Sequence, residues 1–179
     1  MEHNDEVDWK PCRDSVDLEP YPDHDLNVDD DQYRAKHPGY RSKFPEFQAS
    51  ACVFNPERKL LVLQRAGWKP EFPLKYALPG GHYEKGENIP HTAIRELLEE
   101  TKLNGKIGKF VGSLFYKSSE GSSQEFYFIV TTERYDVTIN KESVGYLWVT
   151  LDEVKELDLA LPSQMWRIIT KAFWMMGYA

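Results

Sequence analysis

Three glutamates, Glu96, Glu99 and Glu100, constrain this chain more than any other feature. They stand at i, i+3 and i+4 within residues 90–103, where the apolar residues also recur at helical spacing. At about 100° per residue the three acids share one helix face. Ala93, Ile94 and Leu97, with Leu98 at the edge, form a neighbouring apolar face. Such a helix can be held to a sheet on one side while it presents carboxylates on another. Pro90 suits its first turn, where the missing N–H costs nothing.

Like charges on one helix face repel by roughly 0.2–0.5 kcal/mol per pair when exposed, and by more in a cleft of lower dielectric. A bound divalent cation reverses that cost. Hard oxygen ligands of this kind suit Mg²⁺ or Mn²⁺, which can neutralise phosphate charge and activate a water. Acids mostly face water, so Glu99-Glu100 alone reads as solvated surface. The longer pattern changes that reading: Gly81, five residues, Glu87, seven residues, then Arg95-Glu96-Leu97-x-Glu99-Glu100. From average residue usage its chance occurrence in such a chain is on the order of 10⁻⁶.

Residues 81–103, GHYEKGENIPHTAIRELLEETKL, resemble the Nudix box, G-x5-E-x7-R-E-U-x-E-E-x-G-U with U apolar. Gly81, Glu87, Arg95, Glu96, Leu97, Glu99, Glu100 and Leu103 match, and Lys102 replaces the second glycine. The resemblance extends over most of residues 47–176, through the hairpin ending at Arg65, the YALPGGHYE run and the WVTLDEV segment. It implies a Nudix-like α/β/α sandwich with a mixed sheet between helices. It also implies a metal-dependent pyrophosphohydrolase that cleaves a diphosphate linkage by water attack, with Mg²⁺ (or Mn²⁺) as cofactor.

Residue by residue, the resemblance implies that Glu96, Glu99 and Glu100 bind metal, with Glu96 and Glu100 as direct ligands and the Gly80 carbonyl as a further one. Gly80 and Gly81 would let the backbone turn sharply and approach the cation. Glu87 and Arg95 would tie loop to helix, with Glu99 an alternative partner for Arg95. Glu99, Glu100 and a later-loop acid are the expected catalytic groups; Glu142 is the choice for that acid, with Glu120 and Glu125 as rivals. With Lys102 in place of glycine, the helix is expected to run on slightly and end at Asn104-Gly105.

The remaining elements follow from local pattern. Strands are predicted at 47–54, 59–65, 110–116, 125–132 and 145–150, with turn chemistry at Asn55-Pro56-Glu57-Arg58. Another at 76–83 is interrupted by Pro79-Gly80-Gly81. Residues 151–157 read as a short helix. Residues 163–176 read as a longer one, capped by Ser163 and packed through Met165, Trp166, Ile169, Ala172, Phe173 and Met176. Strands and helices layered around one core give an α/β fold.

Charge divides the chain in two. Residues 1–31 hold twelve acids against two bases, so most of the net −7 belongs there. Residues 1–45 read as a solvated acidic arm, although Trp9, Tyr21, Tyr33 and Tyr40 offer ways to dock it; residues 46–179 read as the hydrolase domain. The arm is a candidate contact for a protein partner, and a homodimer is left open. The mildly basic remainder suits a small phosphorylated substrate and lacks the basic stripe of a nucleic-acid polymer binder. No apolar run is long enough for a membrane span, and the acidic N-terminus does not read as a secretion signal. Cys12 and Cys52 are therefore expected as reduced thiols of a cytoplasmic protein, with the nucleus also open.

Candidate substrate contacts are Arg65, Lys75 and Lys117 for phosphate, and Tyr76, Tyr83, Trp68 and Phe72 for stacking. For each aromatic, core packing is at least as natural a role. His82 beside the turn is a further candidate contact, and His91 at the helix start reads as exposed. The expected substrate is a small nucleotide or nucleoside diphosphate derivative. The alternatives are an inositol-pyrophosphate or other non-nucleotide diphosphate, and a binding or regulatory module without turnover. The intact box acids argue against the last.

Overall fold

The computed structural model describes residues 10–11, 46–84, 87–118 and 121–179. Apart from the Lys10–Pro11 backbone, the acidic arm lies outside the described residues, and so do Cys12, Glu120 and the Lys117 side chain. Eight strands form one sheet: β1 (Lys10–Pro11), β2 (Glu46–Phe54), β3 (Leu60–Arg65), β4 (Tyr76–Ala77), β5 (Gly80–His82), β6 (Lys106–Ser118), β7 (Gly121–Thr131) and β8 (Ser143–Val149). Among the described residues three helices complete the fold: α1 (Ile89–Thr101), α2 (Leu151–Val154) and α3 (Pro162–Met175).

The sheet is mixed, because β2 runs parallel to β7 while the other pairings are antiparallel. Period-two alternation along β2 builds both faces of the core. Phe47, Ala49, Ala51 and Val53 join Ala93, Leu97 and Leu103 on the α1 side. Cys52 and Phe54 join Met165, Ile169, Ala172 and Phe173 on the α3 side. The result is the expected α/β/α sandwich, and the free Cys52 is buried in it. Among the described residues no helix is long and apolar enough to cross a membrane.

The feature that positions the site is a fork. β2 and β3 pair only at Phe54 and Leu60, beyond the turn where Asn55 Oδ1 accepts from the Glu57 and Lys59 amides at 3.0 and 3.1 Å. Away from that apex the strands part. β5 continues along β2, pairing Ser50 with Gly80 and Gln48 with His82, while β4 continues along β3. Leu78 and Pro79 link β4 to β5, and the Ala51 amide donates to the Pro79 carbonyl at 2.9 Å. The expected interruption by Pro79-Gly80-Gly81 is therefore corrected: the break is Leu78-Pro79, and both glycines are paired within a strand.

Two helix ends also depart from expectation. α1 is capped by Asn88, whose side chain accepts from the His91 amide at 2.9 Å. It ends at Thr101, and Lys102 itself adopts the left-handed conformation at φ 62°, its N–H donating to the Leu98 carbonyl. The helix does not run on to Asn104-Gly105, because Leu103 must turn inward to become fully buried. Gly105 serves packing: a β-carbon there would fall 2.3 Å from Val130 Cγ1. At α3 the cap position is Leu161, left-handed at φ 51° without a side-chain bond, and Ser163 lies inside the helix.

Candidate active site

Where β2 and β3 part, α1 and the loops after β3 and before β8 enclose a cleft of about 350 Å³. Its lining unites Glu96, Glu99 and Glu100 from α1, Gly80, Gly81 and His82 from β5, Arg65 at the end of β3, and Glu142. Those residues come from four stretches of chain spread over nearly eighty positions. Buried Ala93 and Leu97 fix the rotation of α1 that turns its acids toward the opening.

The carboxylates differ in environment. Glu100 is 9% exposed. Burial, reinforced by the charges of Glu96 and Glu142, pushes its carboxyl up to about 9, against the opposing pull of Lys69 and a hydrogen bond with the Gly80 backbone. Burial also raises Glu96, opposed by the Arg95 guanidinium. Glu99, at 55% exposure, stands at the mouth. Glu142 is held below the usual carboxylate range, chiefly by the Lys69 ammonium 2.7 Å away. The Glu142 amide donates to Asn140 Oδ1 at 2.9 Å.

Arg95 is the organiser of the α1 end. Its Nε and Nη2 donate to the two oxygens of Glu87, both at 3.0 Å, and Nη2 also donates to the His82 carbonyl at 2.7 Å. Its Nη1 reaches Glu96 at 2.9 Å and Glu99 at 3.3 Å, so Glu87 and Glu99, the partners named from sequence, are both engaged and Glu96 joins them. Burial would raise Glu87, but hydrogen bonds from Arg95 and Thr92 outweigh it and hold the carboxyl below its ordinary value. Gly80 and Gly81 do not act by turning sharply, since neither has a positive φ. They act by lacking a side chain, because β-carbons there would collide with Ser50 and Glu96.

Other expected contacts lie elsewhere. Lys75 pairs with Asp158 at 2.8 Å and does not line the cleft. Tyr76 packs against the α3-side core and Tyr83 against the α1-side core. Trp68 is exposed, its indole N–H donating to the Lys141 carbonyl at 3.0 Å, whereas Phe72 does line the cleft. His91 is exposed, as expected. Sequence reasoning missed Lys69, Gln48 and Ser50. Lys69 carries no local signal, for its partner is 73 positions away. Gln48 and Ser50 did carry one, as polar residues at alternate positions of an otherwise apolar strand.

The donor set fits a hard divalent cation in chemistry. No three His, Cys, Asp or Glu side chains among the described residues converge into a closed metal cage. Mg²⁺ does not require one, since it commonly takes one or two carboxylates and completes its shell with water and substrate phosphate. Glu96 and Glu100, half-buried and buried beside each other, would supply two such oxygens, and a cation there would relieve their mutual repulsion.

Comparison with known proteins gives a consistent result. The NUDIX domain family matches residues 45–171. The asymmetrical bis(5'-nucleosyl)-tetraphosphatase of Rattus norvegicus is 33% identical over 115 residues, covering 59% of this chain and 73% of that protein. Diphosphoinositol polyphosphate phosphohydrolase 3-alpha of Mus musculus is 28% identical over 99 residues, covering 55% of this chain and 58% of that protein. The chain thus spans less than two thirds of some relatives' length, including 64% of a Bacillus subtilis protein. A C. elegans Ap4A hydrolase structure superposes with TM-score 0.62 at 22% identity, over 74% of this chain and 98% of that one, which establishes the fold.

Proposed function

The chain belongs to the Nudix hydrolase family, and on that premise we propose that it hydrolyses a diphosphate linkage in a small nucleotide or nucleoside diphosphate derivative, with Mg²⁺ or Mn²⁺ as cofactor. The observation that carries the reading is the meeting of Glu96, Glu99, Glu100 and Glu142 on one cleft with Arg65 and Lys69. When bound, a divalent cation supplies Lewis-acid stabilisation of phosphate charge and a more acidic water. Glu96 and Glu100, with the Gly80 carbonyl, are the residues that would hold it.

The chain's own groups do the rest. Arg65 lines the cleft as a donor to phosphate oxygens, its orientation set by the bond from Nε to the Glu71 carbonyl at 2.9 Å. Glu142, kept ionised by Lys69, takes the proton as water oxygen attacks phosphorus. The bridging P–O bond breaks, and the second phosphate leaves with the electron pair. Glu99, at the mouth, is a further acid of the site.

Charge favours a nucleotide over an inositol pyrophosphate. The cleft is lined by seven glutamates and only Arg65, Lys69, Arg95 and His82 on the basic side. A ligand carrying phosphate on most of its ring carbons would meet more repulsion there than a diphosphate joined to a neutral moiety. The test is a panel of diphosphate compounds with Mg²⁺ and with Mn²⁺, reading phosphate or pyrophosphate release, beside Glu100→Gln. Turnover that falls about 10²- to 10⁴-fold in the variant supports the reading; absence of turnover on every diphosphate, in wild type and variant alike, sinks it.

A further inference from the structure

The cleft does not stop at the acids of α1. It continues to the α3 face of the sheet, where Gln48, Ser50 and Glu125 line it beside Leu78, Leu161 and Met165. Register explains the grouping. Gln48 lies opposite Glu125, and Ser50 opposite Tyr127, across the parallel β2–β7 pair. Gln48 and Ser50 share the face of Cys52 and Phe54, as Glu125 shares that of Tyr127 and Ile129.

Glu125 stands apart from the carboxylates assigned to chemistry. Glu142 acts on both Glu96 and Glu100, whereas the charges acting on Glu125 are those of Arg65, which Glu142 also feels, and His82. The Ser50 hydroxyl donates to Glu125 Oε1. Burial lifts this carboxyl above its ordinary value, with the Ser50 hydroxyl opposing. This neutral donor orients the carboxyl and leaves acceptor capacity, because a carboxylate has about four lone-pair sites. A carboxyl held by Ser50, open to a cleft and flanked there by Leu78, Leu161 and Met165, is built to accept N–H donors from a flat ligand.

We propose that Glu125 is a specificity-determining residue whose carboxyl, oriented by Ser50, accepts hydrogen bonds from the N–H groups on the edge of a nucleobase lodged between Leu78 and Met165. This rests on the reading above that the substrate is a nucleotide. Bases that carry an amino group are favoured over otherwise identical bases that lack one, since the latter leave the half-buried carboxyl without its partner.

The experiment compares matched pairs on the full chain with Mg²⁺: guanosine against inosine nucleotides, and adenosine against purine-riboside nucleotides, for wild type, Glu125→Gln and Ser50→Ala. Wild type is expected to favour the amino-bearing member of at least one pair by about 10- to 100-fold in kcat/KM. Glu125→Gln is expected to narrow that ratio below about threefold, with the loss falling on KM of the amino-bearing nucleotide rather than on kcat. An equal fall in kcat on every substrate, or an unaltered ratio, overturns the assignment. If Glu125→Gln does not fold, Ser50→Ala carries the test, and a ratio it fails to narrow overturns the assignment equally. Nucleotides hydrolysed without discrimination by wild type refute Glu125 alone. Hydrolysis confined to non-nucleotide diphosphates refutes the nucleotide reading, and this inference with it.

Discussion

A β-carbon added to Gly81 would fall 2.5 Å from the carboxyl carbon of Glu96, so that glycine defines the space in which the Glu96 side chain lies. Gly80 is confined differently: its β-carbon would meet Ser50 Oγ at 1.9 Å and the Ala49 carbonyl at 2.6 Å. The two alanine variants should therefore fail in different ways. In Gly81→Ala the carboxylate can swing away, so the fold persists while kcat/KM falls about 100-fold or more. In Gly80→Ala backbone must move, costing about 1–3 kcal/mol. Thermal melts beside activity assays check this; a Gly81→Ala enzyme of normal activity refutes it.

Glu100 links the site to stability. Its carboxyl is pushed up to about 9 in the folded chain, from an ordinary value near 4.5. Below the ordinary value both states are protonated and no penalty arises. As pH rises from there toward 9 the unfolded chain releases this proton while the folded one keeps it, so stability falls. Glu100→Gln removes the penalty. Relief of about 1 kcal/mol would raise the Tm of metal-free protein at pH 8 by about 2–4 °C. The gain should vanish near pH 4 and shrink in Mg²⁺. Equal melting temperatures at pH 8 without metal count against this account.

Arg95 holds Glu87, Glu96, Glu99 and the His82 carbonyl with one planar group. Lysine has the charge but not the fork. Arg95→Lys is expected to weaken Mg²⁺ binding about 10- to 100-fold, as loss of a ligand's outer support typically does. Calorimetric titration of Mg²⁺ reads this directly, and unaltered affinity refutes it.

Lys69 keeps Glu142 ionised, and Lys69→Met removes the hydrogen bond chiefly responsible. Glu142 then protonates at a higher pH, so the acid limb of the pH–rate profile moves upward. An acid limb that stays in place assigns proton acceptance to another group.

The left-handed Lys102 carries a cost of about 1–2 kcal/mol that glycine avoids, offset by about 0.5–1 kcal/mol of glycine's greater unfolded-state entropy. Lys102→Gly is expected to stabilise by about 0.5 kcal/mol, seen as a small upward shift in denaturant midpoint. A downward shift refutes it.

What the sequence disclosed was whatever is periodic. Ala93 and Leu97 marked the buried face of α1, and its acids fell on the cleft side as their spacing requires. Met165, Ile169 and Phe173 did the same for α3. What stayed hidden depends on distant packing. That Lys69 meets Glu142, or that Lys75 is drawn off to Asp158, follows from how loops cross over the sheet and leaves no trace in neighbouring residues. The end of α1 departs from its local pattern for a related reason: the inward demand of Leu103 outweighs the local preference of lysine.

The parting of β2 from β3 also divides labour. The acids proposed to break the bond belong to α1 and the loop at Glu142, whereas Gln48, Ser50, Glu125 and Met165 come from strands and a helix on the opposite side. The two groups touch where Ser50 pairs with Gly80, so residues of the second that lie away from that pair can be exchanged with less effect on the first. A scaffold arranged this way can inherit its reaction unchanged while its choice of molecule drifts.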